Sequence, residues 1–249
     1  MRVAVLADIH GNLPALDAVL ADVAAAGVDA IVLNGDMATG PMPAQTLERL
    51  AGLGGKAVWV RGNADRELAA AYDGALSPDL PIEARVPAQY CASQLSRQHR
   101  DLLAGLPLSV TLEVTGLGPV RFCHATATSD TKIVLVDSAL DDYRAGFGGT
   151  TEPTVVLGHT HMPFDRLADR RRFVNPGSVG MPYGNAGAYW ALLGPDVVLR
   201  RTGYDTSAAG QTLRAAAPGY PDLAGFIAEN VVTVPSDAAA LAVFSPRSD

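Results

Sequence analysis

At 249 residues with a formal net charge of −7, the chain is long enough to bury a large core and too acidic for the clustered Lys and Arg of a broad nucleic-acid-binding face. Apolar residues make up 48% against 18% charged, which excludes a disordered chain, and no apolar run approaches the roughly 20 residues that cross a bilayer. Cys91 and Cys123 form neither a zinc knuckle nor a disulfide framework, and the N-terminus enters a strand without signal-peptide features, so the expectation is a cytoplasmic protein with no membrane contact.

Val3-Ala4-Val5-Leu6 reads as a short buried strand that ends in Asp8-Ile9-His10-Gly11-Asn12. Side chains at i and i+2 of an extended chain project to one side, so Asp8 and His10 are placed to bind one ion together. Taken alone, the pair is better read as a helix-capping carboxylate beside a surface histidine. A helix is predicted over residues 13–26 from Leu16, Val19, Leu20 and Val23, stopping at Gly27, with Asn12 as its N-cap. Residues 30–33 form the next strand and lead to Asn34-Gly35-Asp36. A helix follows from Pro43 to the glycines near Gly54. Residues 57–60 make a third strand, ending in Arg61-Gly62-Asn63-Ala64-Asp65. Alternating strands and helices at this spacing predict right-handed crossovers and a parallel sheet.

Residues 72–87 are irregular and proline-bearing, and helices are predicted over 88–95 and 97–103. Residues 108–114 and 120–123 read as a hairpin whose second arm ends in His124. Residues 130–136 fit no single pattern, and 139–147 is helical. The strand at 154–157 ends in Gly158-His159-Thr160-His161. Two hairpins follow, 164–167 with 172–174 and 188–193 with 197–200. The basic run Arg170-Arg171-Arg172 falls in the first of their turns and reads as solvated. Beyond Asp205 the chain predicts two or three short helices, including 222–231 and 238–243. Without a linker or repeat, the expected organisation is one domain over 1–249, with 204–249 a helical appendage serving packing or a homodimer contact.

Five strand ends therefore carry Asp8 and His10, Asp36, Asn63, His124, and His159 with His161. Four of the five histidines fall there, leaving only His99, which reads as a helix-surface residue. Ligands of open α/β sheets gather at strand carboxyl ends. Seven nitrogen and oxygen donors exceed one ion and suit two, with Asp36 as the bridge because a carboxylate has two oxygens. Donors of this kind without thiolate suit Mn²⁺, Fe, Zn²⁺, Co²⁺ or Ni²⁺, with Mn²⁺ the first expectation. Two such ions hold a water between them, lower its pKa and keep a net positive charge that attracts a phosphate. Cys123 faces away from His124 by strand alternation and reads as core.

Asp8-x-His10, Gly35-Asp36, Gly62-Asn63-x-Asp65, His124 and Gly158-His159-Thr160-His161, in that order, resemble the calcineurin-like metallophosphoesterase superfamily over roughly residues 1–203. Asp8-Ile9-His10-Gly11-Asn12 with Asn175-Pro176-Gly177-Ser178 is similar to its small bacterial and archaeal phosphodiesterase branch. The resemblance implies an α/β four-layer αββα sandwich, two packed mixed sheets flanked by helices, with metals at the strand C-terminal edge. It implies one site from Asp8, His10, Asp36 and His161 and a second from Asp36, Asn63, His124 and His159. Asp36, Asn63 and Asp65 are the catalytic candidates. The implied function is hydrolysis of phosphodiester or phosphoanhydride bonds in a phosphorylated small molecule or nucleotide by a metal-bridging hydroxide. Many members have histidine where this chain has Ala64, so substrates with good leaving groups are expected. The alternative is a weakly active or inactive scaffold or nucleotide-binding module on the same fold.

Overall fold

The computed structural model describes residues 1–245, and the last four residues of the expected appendage lie outside it. Strand β1 (Val3–Leu6) is followed by α1 (Leu13–Ala26), β2 (Ala30–Asn34), α2 (Pro43–Ala51) and β3 (Ala57–Val60). Next come α3 (Asn63–Tyr72), α4 (Ile82–Ser93), α5 (Arg97–Ala104), the hairpin β4 (Ser109–Val114) and β5 (Gly118–Cys123), α6 (Leu140–Phe147) and β6 (Thr154–Val156). The hairpins β7 (Phe164–Ala168) with β8 (Arg171–Asn175) and β9 (Ala188–Leu193) with β10 (Val197–Thr202) precede α7 (Thr206–Ala216), α8 (Leu223–Ile227) and α9 (Asp237–Phe244).

The strands form two five-stranded mixed sheets, ordered β10-β9-β1-β2-β3 and β4-β5-β6-β8-β7. In the first, β1, β2 and β3 run parallel, and β9 lies antiparallel between β1 and β10. Period-2 alternation explains how they stack. Val3, Val5 and Val32 turn inward to meet Val120, Phe122, Val156 and Val174 of the second sheet. Ala4, Leu6, Ile31 and Leu33 turn outward under Leu16, Val19 and Leu47 of the helices. On the far side, Val155, Leu157 and Phe173 take Tyr143 and Phe147 of α6. The expected four-layer αββα sandwich is thus present.

Two helical segments differ from the pattern reading. Helix α3 starts at Asn63, two residues after β3, in a stretch to which the pattern assigned no element. Helix α4 runs through Pro87, inside the stretch expected to be irregular. A proline removes one helical N–H and frees the carbonyl four residues earlier. That carbonyl belongs to Glu83, an exposed residue in the first turn of the helix. The helix expected over 222–231 is α8 followed by a wider π turn over 228–232.

Candidate metal centre

The residues after β1, β2, β3, β5 and β6 meet at one edge, and the backbone stitches them together. The Asp8 N–H donates to Gly35 O (3.0 Å), His10 N–H to Asp36 O (3.0 Å), and Gly158 N–H to His124 O (2.8 Å). Asp8, His10, Asp36, His159 and His161 all have φ between 47° and 67°, the left-handed region that side chains avoid. Backbone of that kind persists where surrounding structure enforces it, and it clusters at functional sites. Two glycines make the crowding tolerable. A Cβ on Gly62 would overlap the Asp36 carboxylate, and one on Gly35 would overlap the His124 ring.

Six side chains fall into two clusters, Asp8 with His10 and His161, and Asp36 with His124 and His159; within each, the ligand atoms lie within 4.8 Å of one another. Asp36 Oδ2 faces both, 3.3 Å from His124 Nε2 and 3.8 Å from His10 Nε2, while its Oδ1 accepts the Ala64 N–H at 2.8 Å. His161 Nε2 is 3.3 Å from Asp8 Oδ1.

The donor set fits cations. His10 Nδ1 lies 3.1 Å from Thr39 O, His161 Nδ1 2.8 Å from Met181 O, and His124 Nδ1 2.8 Å from Asn34 O. Each Nδ1 in its neutral ring must carry the hydrogen, which leaves an Nε2 lone pair turned inward. His159 is held the other way, with Nε2 3.1 Å from Thr131 O, so its free nitrogen is Nδ1. The Nε2 atoms of His10 and His161 face each other at 3.2 Å. Two lone pairs at that distance repel unless a proton or cation stands between them. His124 Nε2 and Asn63 Oδ1 are buried without a hydrogen-bond partner, a costly state that a cation relieves.

Burial works against the Asp36 carboxylate, but His124, then His10 and His159, hold it well below its usual range. Burial likewise opposes charge on His124, but Asp36 and then Asp8 raise it to about 10. Burial and His124 push His159 down to about 4, and burial with His161 lowers His10. Burial thus keeps charge off His159 and His10, while Asp36 and Asp8 overcome burial at His124 and His161 and hold those two rings toward the charged form.

Asn63, the first residue of α3, directly precedes Ala64, whose N–H holds Asp36; its Nδ2 donates to Glu67 Oε1 at 3.4 Å. Asp65 is buried with its oxygens on the N–H groups of Asp36 (2.8 Å), Gly62 (2.9 Å) and Met37 (3.0 Å), which makes it a positioning residue. Asn12 caps α1 through the Ala15 N–H (3.3 Å) and also donates to Gly180 O (3.0 Å). Asn175 donates to Gly158 O at 2.7 Å and Ser178 to Asp8 O at 2.7 Å, so both brace ligand loops. Cys123 is buried, and burial pushes its thiol up to about 12. His99 is half-buried at the start of α5, away from the ligands, and Arg172 of the basic run pairs with Asp165. A surface cleft of about 580 Å³, lined in part by Leu47, Trp59 and Leu102, includes none of the ligand candidates.

Three features escaped the sequence reading. Asn34 donates to Cys123 O (3.1 Å) and Leu157 O (2.9 Å), joining the two sheets at the ligand edge. Arg66 grips buried Asp130 with Nε (2.9 Å) and Nη2 (3.2 Å), beside the Thr131 carbonyl that holds His159. Glu67 has its carboxyl pushed up to about 7 by burial and by Asp36. Only an ordinary strand-end asparagine and scattered charges marked these positions in the sequence.

The model of the calcineurin-like phosphoesterase superfamily domain matches residues 1–196. The chain belongs to that superfamily. It is 25% identical over 207 residues to the phosphodiesterase YfcE of Escherichia coli K12, covering 80% of this chain and 90% of that protein. The crystal structure of a metallophosphoesterase from Sphaerobacter thermophilus superposes with a TM-score of 0.70 at 28% identity, covering 92% of this chain and 98% of that one. The hypothetical protein PH1004 of Pyrococcus horikoshii OT3 superposes with a TM-score of 0.79 at 20% identity, covering 94% and 99%. Membership makes the reaction class metal-dependent phosphoester hydrolysis. Among the described residues, no helix is long and apolar enough to cross a membrane.

Proposed function

We propose that the protein is a dinuclear phosphoesterase that cleaves phosphodiester or phosphoanhydride bonds of small phosphorylated molecules, nucleotides among them. The observation that carries this reading is the pair of three-residue clusters with one Asp36 oxygen facing both. Asp8, His10 and His161 would hold one ion and His124, His159 and Asn63 the other, with Asp36 shared. When bound, two divalent ions, Mn²⁺ being the first choice for these donors, supply an activated water and the positive charge that draws in a phosphate.

The chain's own residues supply placement. Asp65 and Gly62 fix the Asp36 loop, and the Nδ1–H bonds to backbone carbonyls fix three imidazoles so that their lone pairs point inward. Ala64 has no proton to give a leaving oxygen, a loss of about 10²- to 10⁴-fold on poor leaving groups. Substrates with stable leaving groups are therefore favoured. Measurement of bound metal and of bis-p-nitrophenyl phosphate hydrolysis with Mn²⁺ tests the reading. Two ions per chain and turnover abolished by Asp36→Asn are expected; a folded protein that takes up no divalent ion and turns over nothing defeats it.

A further inference from the structure

Six rings run in a chain around the mouth of the centre. Their centroids are 5.0 Å apart for His10 and His161, 6.1 Å for His161 and Tyr183, 6.2 Å for Tyr183 and Phe244, 6.5 Å for Phe244 and His159, and 5.2 Å for His159 and His124. Four of these belong to the clusters. The other two, Tyr183 and Phe244, complete the path from one cluster to the other, and both are half-buried.

Phe244 ends α9, well beyond the residues that the superfamily model matches. The Gly184 N–H donates to Pro235 O at 2.8 Å, tying the loop of Tyr183 to the segment that leads into α9. Ser236 then caps that helix through the Ala239 N–H at 3.1 Å. Helix α9 buries Ala240, whereas its Phe244 stands outside the hydrophobic core clusters and against His159. A phenylalanine offers no metal ligand and no hydrogen bond. What it offers beside a phosphate site is a flat apolar face, and tyrosine offers the same.

We propose that Tyr183 and Phe244 form a stacking wall that selects phosphoesters carrying a flat aromatic group, either a nucleobase or an aryl ester. The inference rests on the phosphoesterase reading, since the phosphate must lie on the metal edge for the flat group to reach the rings.

The test compares p-nitrophenyl phenylphosphonate with p-nitrophenyl methylphosphonate, which share a leaving group and differ in the flat substituent. The Mn²⁺-loaded protein should prefer the phenyl compound. Phe244→Ala and Tyr183→Ala should each lower the phenyl-to-methyl ratio of kcat/KM by about 5- to 100-fold, the range of a lost stacking contact, while Phe244→Trp keeps the preference. Loss of equal size on the p-nitrophenyl ester of thymidine 5′-phosphate assigns a nucleobase; a smaller loss assigns an aryl ester. Calorimetric binding of phenylphosphonate against methylphosphonate reads the wall without turnover. Equal affinities, an unchanged ratio in folded variants, or acceleration of both substrates by Phe244→Ala overturns the proposal. No hydrolysis of either compound, joined with no metal uptake and no turnover of bis-p-nitrophenyl phosphate, defeats the phosphoesterase reading instead, and the calorimetric comparison still decides the wall. Should Phe244→Ala fail to fold, Phe244→Leu makes the same comparison.

Discussion

Asp65 sits beneath the ligands and spans two of their loops. Three N–H groups converge on its carboxylate, one from each of Asp36, Met37 and Gly62, while burial and the nearby Asp36 push its carboxyl up to about 7. An amide in its place turns an NH₂ group toward an N–H that needs an acceptor. Asp65→Asn should cost about 1–3 kcal/mol in urea denaturation, the penalty of a buried donor left unpaired. It should also weaken Mn²⁺ binding by about 10- to 100-fold, because a support for a ligand loop is lost. Unchanged stability and affinity would mean that other contacts hold the loop. Residues of this rank differ in how openly the sequence declares them. The four histidines stood out because each followed an apolar run. Asn34 and Asp130 did not, since their partners lie 64 to 123 positions away and only the folded chain brings them together.

At the level of elements, β1, β2, β3 and β6 were legible because each is a short apolar run that leads into a glycine or a polar residue. Helix α3 was not, since it opens on polar residues, and of α4 only the part after Pro87 was, since the proline hid the turns before it. The cross-strand cluster on the second sheet was equally hidden. Arg121 of β5 donates to Glu152 Oε2 through Nε (3.1 Å) and to Oε1 through Nη2 (3.0 Å), and Thr111 of β4 donates to Oε1 at 2.8 Å. These bonds tie the hairpin to the segment entering β6. Burial opposes the Glu152 charge, yet Arg121 and Thr111 hold its carboxyl at about 2, against an ordinary 4.5. A carboxyl depressed in the folded state contributes stability above its unfolded value and loses it as pH falls toward the folded one. The stability difference between the natural protein and Glu152→Gln should therefore be constant above about pH 5 and shrink between pH 4.5 and 2. Denaturation curves across that range check the sign; a difference that widens on acidification would refute the assignment.

Across the whole molecule, the metal edge concentrates costs that the rest of the fold must carry. Five non-glycine residues there hold left-handed backbone, and two carboxylates lie buried among imidazoles. Cations bound only by the folded chain offset that load. At a free metal concentration near 100 times Kd the gain is about 2.7 kcal/mol for each ion, so chelation should lower Tm by roughly 5–10 °C per ion removed. An unchanged Tm after verified metal removal would count against the two clusters as metal sites. The far end of the chain bears the opposite relation to the core. The superfamily model stops at residue 196, yet Leu213, Ala217, Tyr220, Phe226, Ile227 and Val231 pack in the same cluster as Leu16, Leu20 and Trp190. Phe226 and Ile227 are at most 7% exposed, so cutting the chain after residue 204 would open a broad apolar face over α1 and β9. Helix α9 contributes one buried alanine and should come away far more cheaply. Truncation after 204 should yield aggregated protein, and truncation after 235 a folded one with Tm within a few degrees of the full chain. Light scattering and thermal unfolding of the two distinguish a helical extension that completes the core from one that merely decorates it, and a soluble, cooperatively folding 1–204 fragment would establish the second.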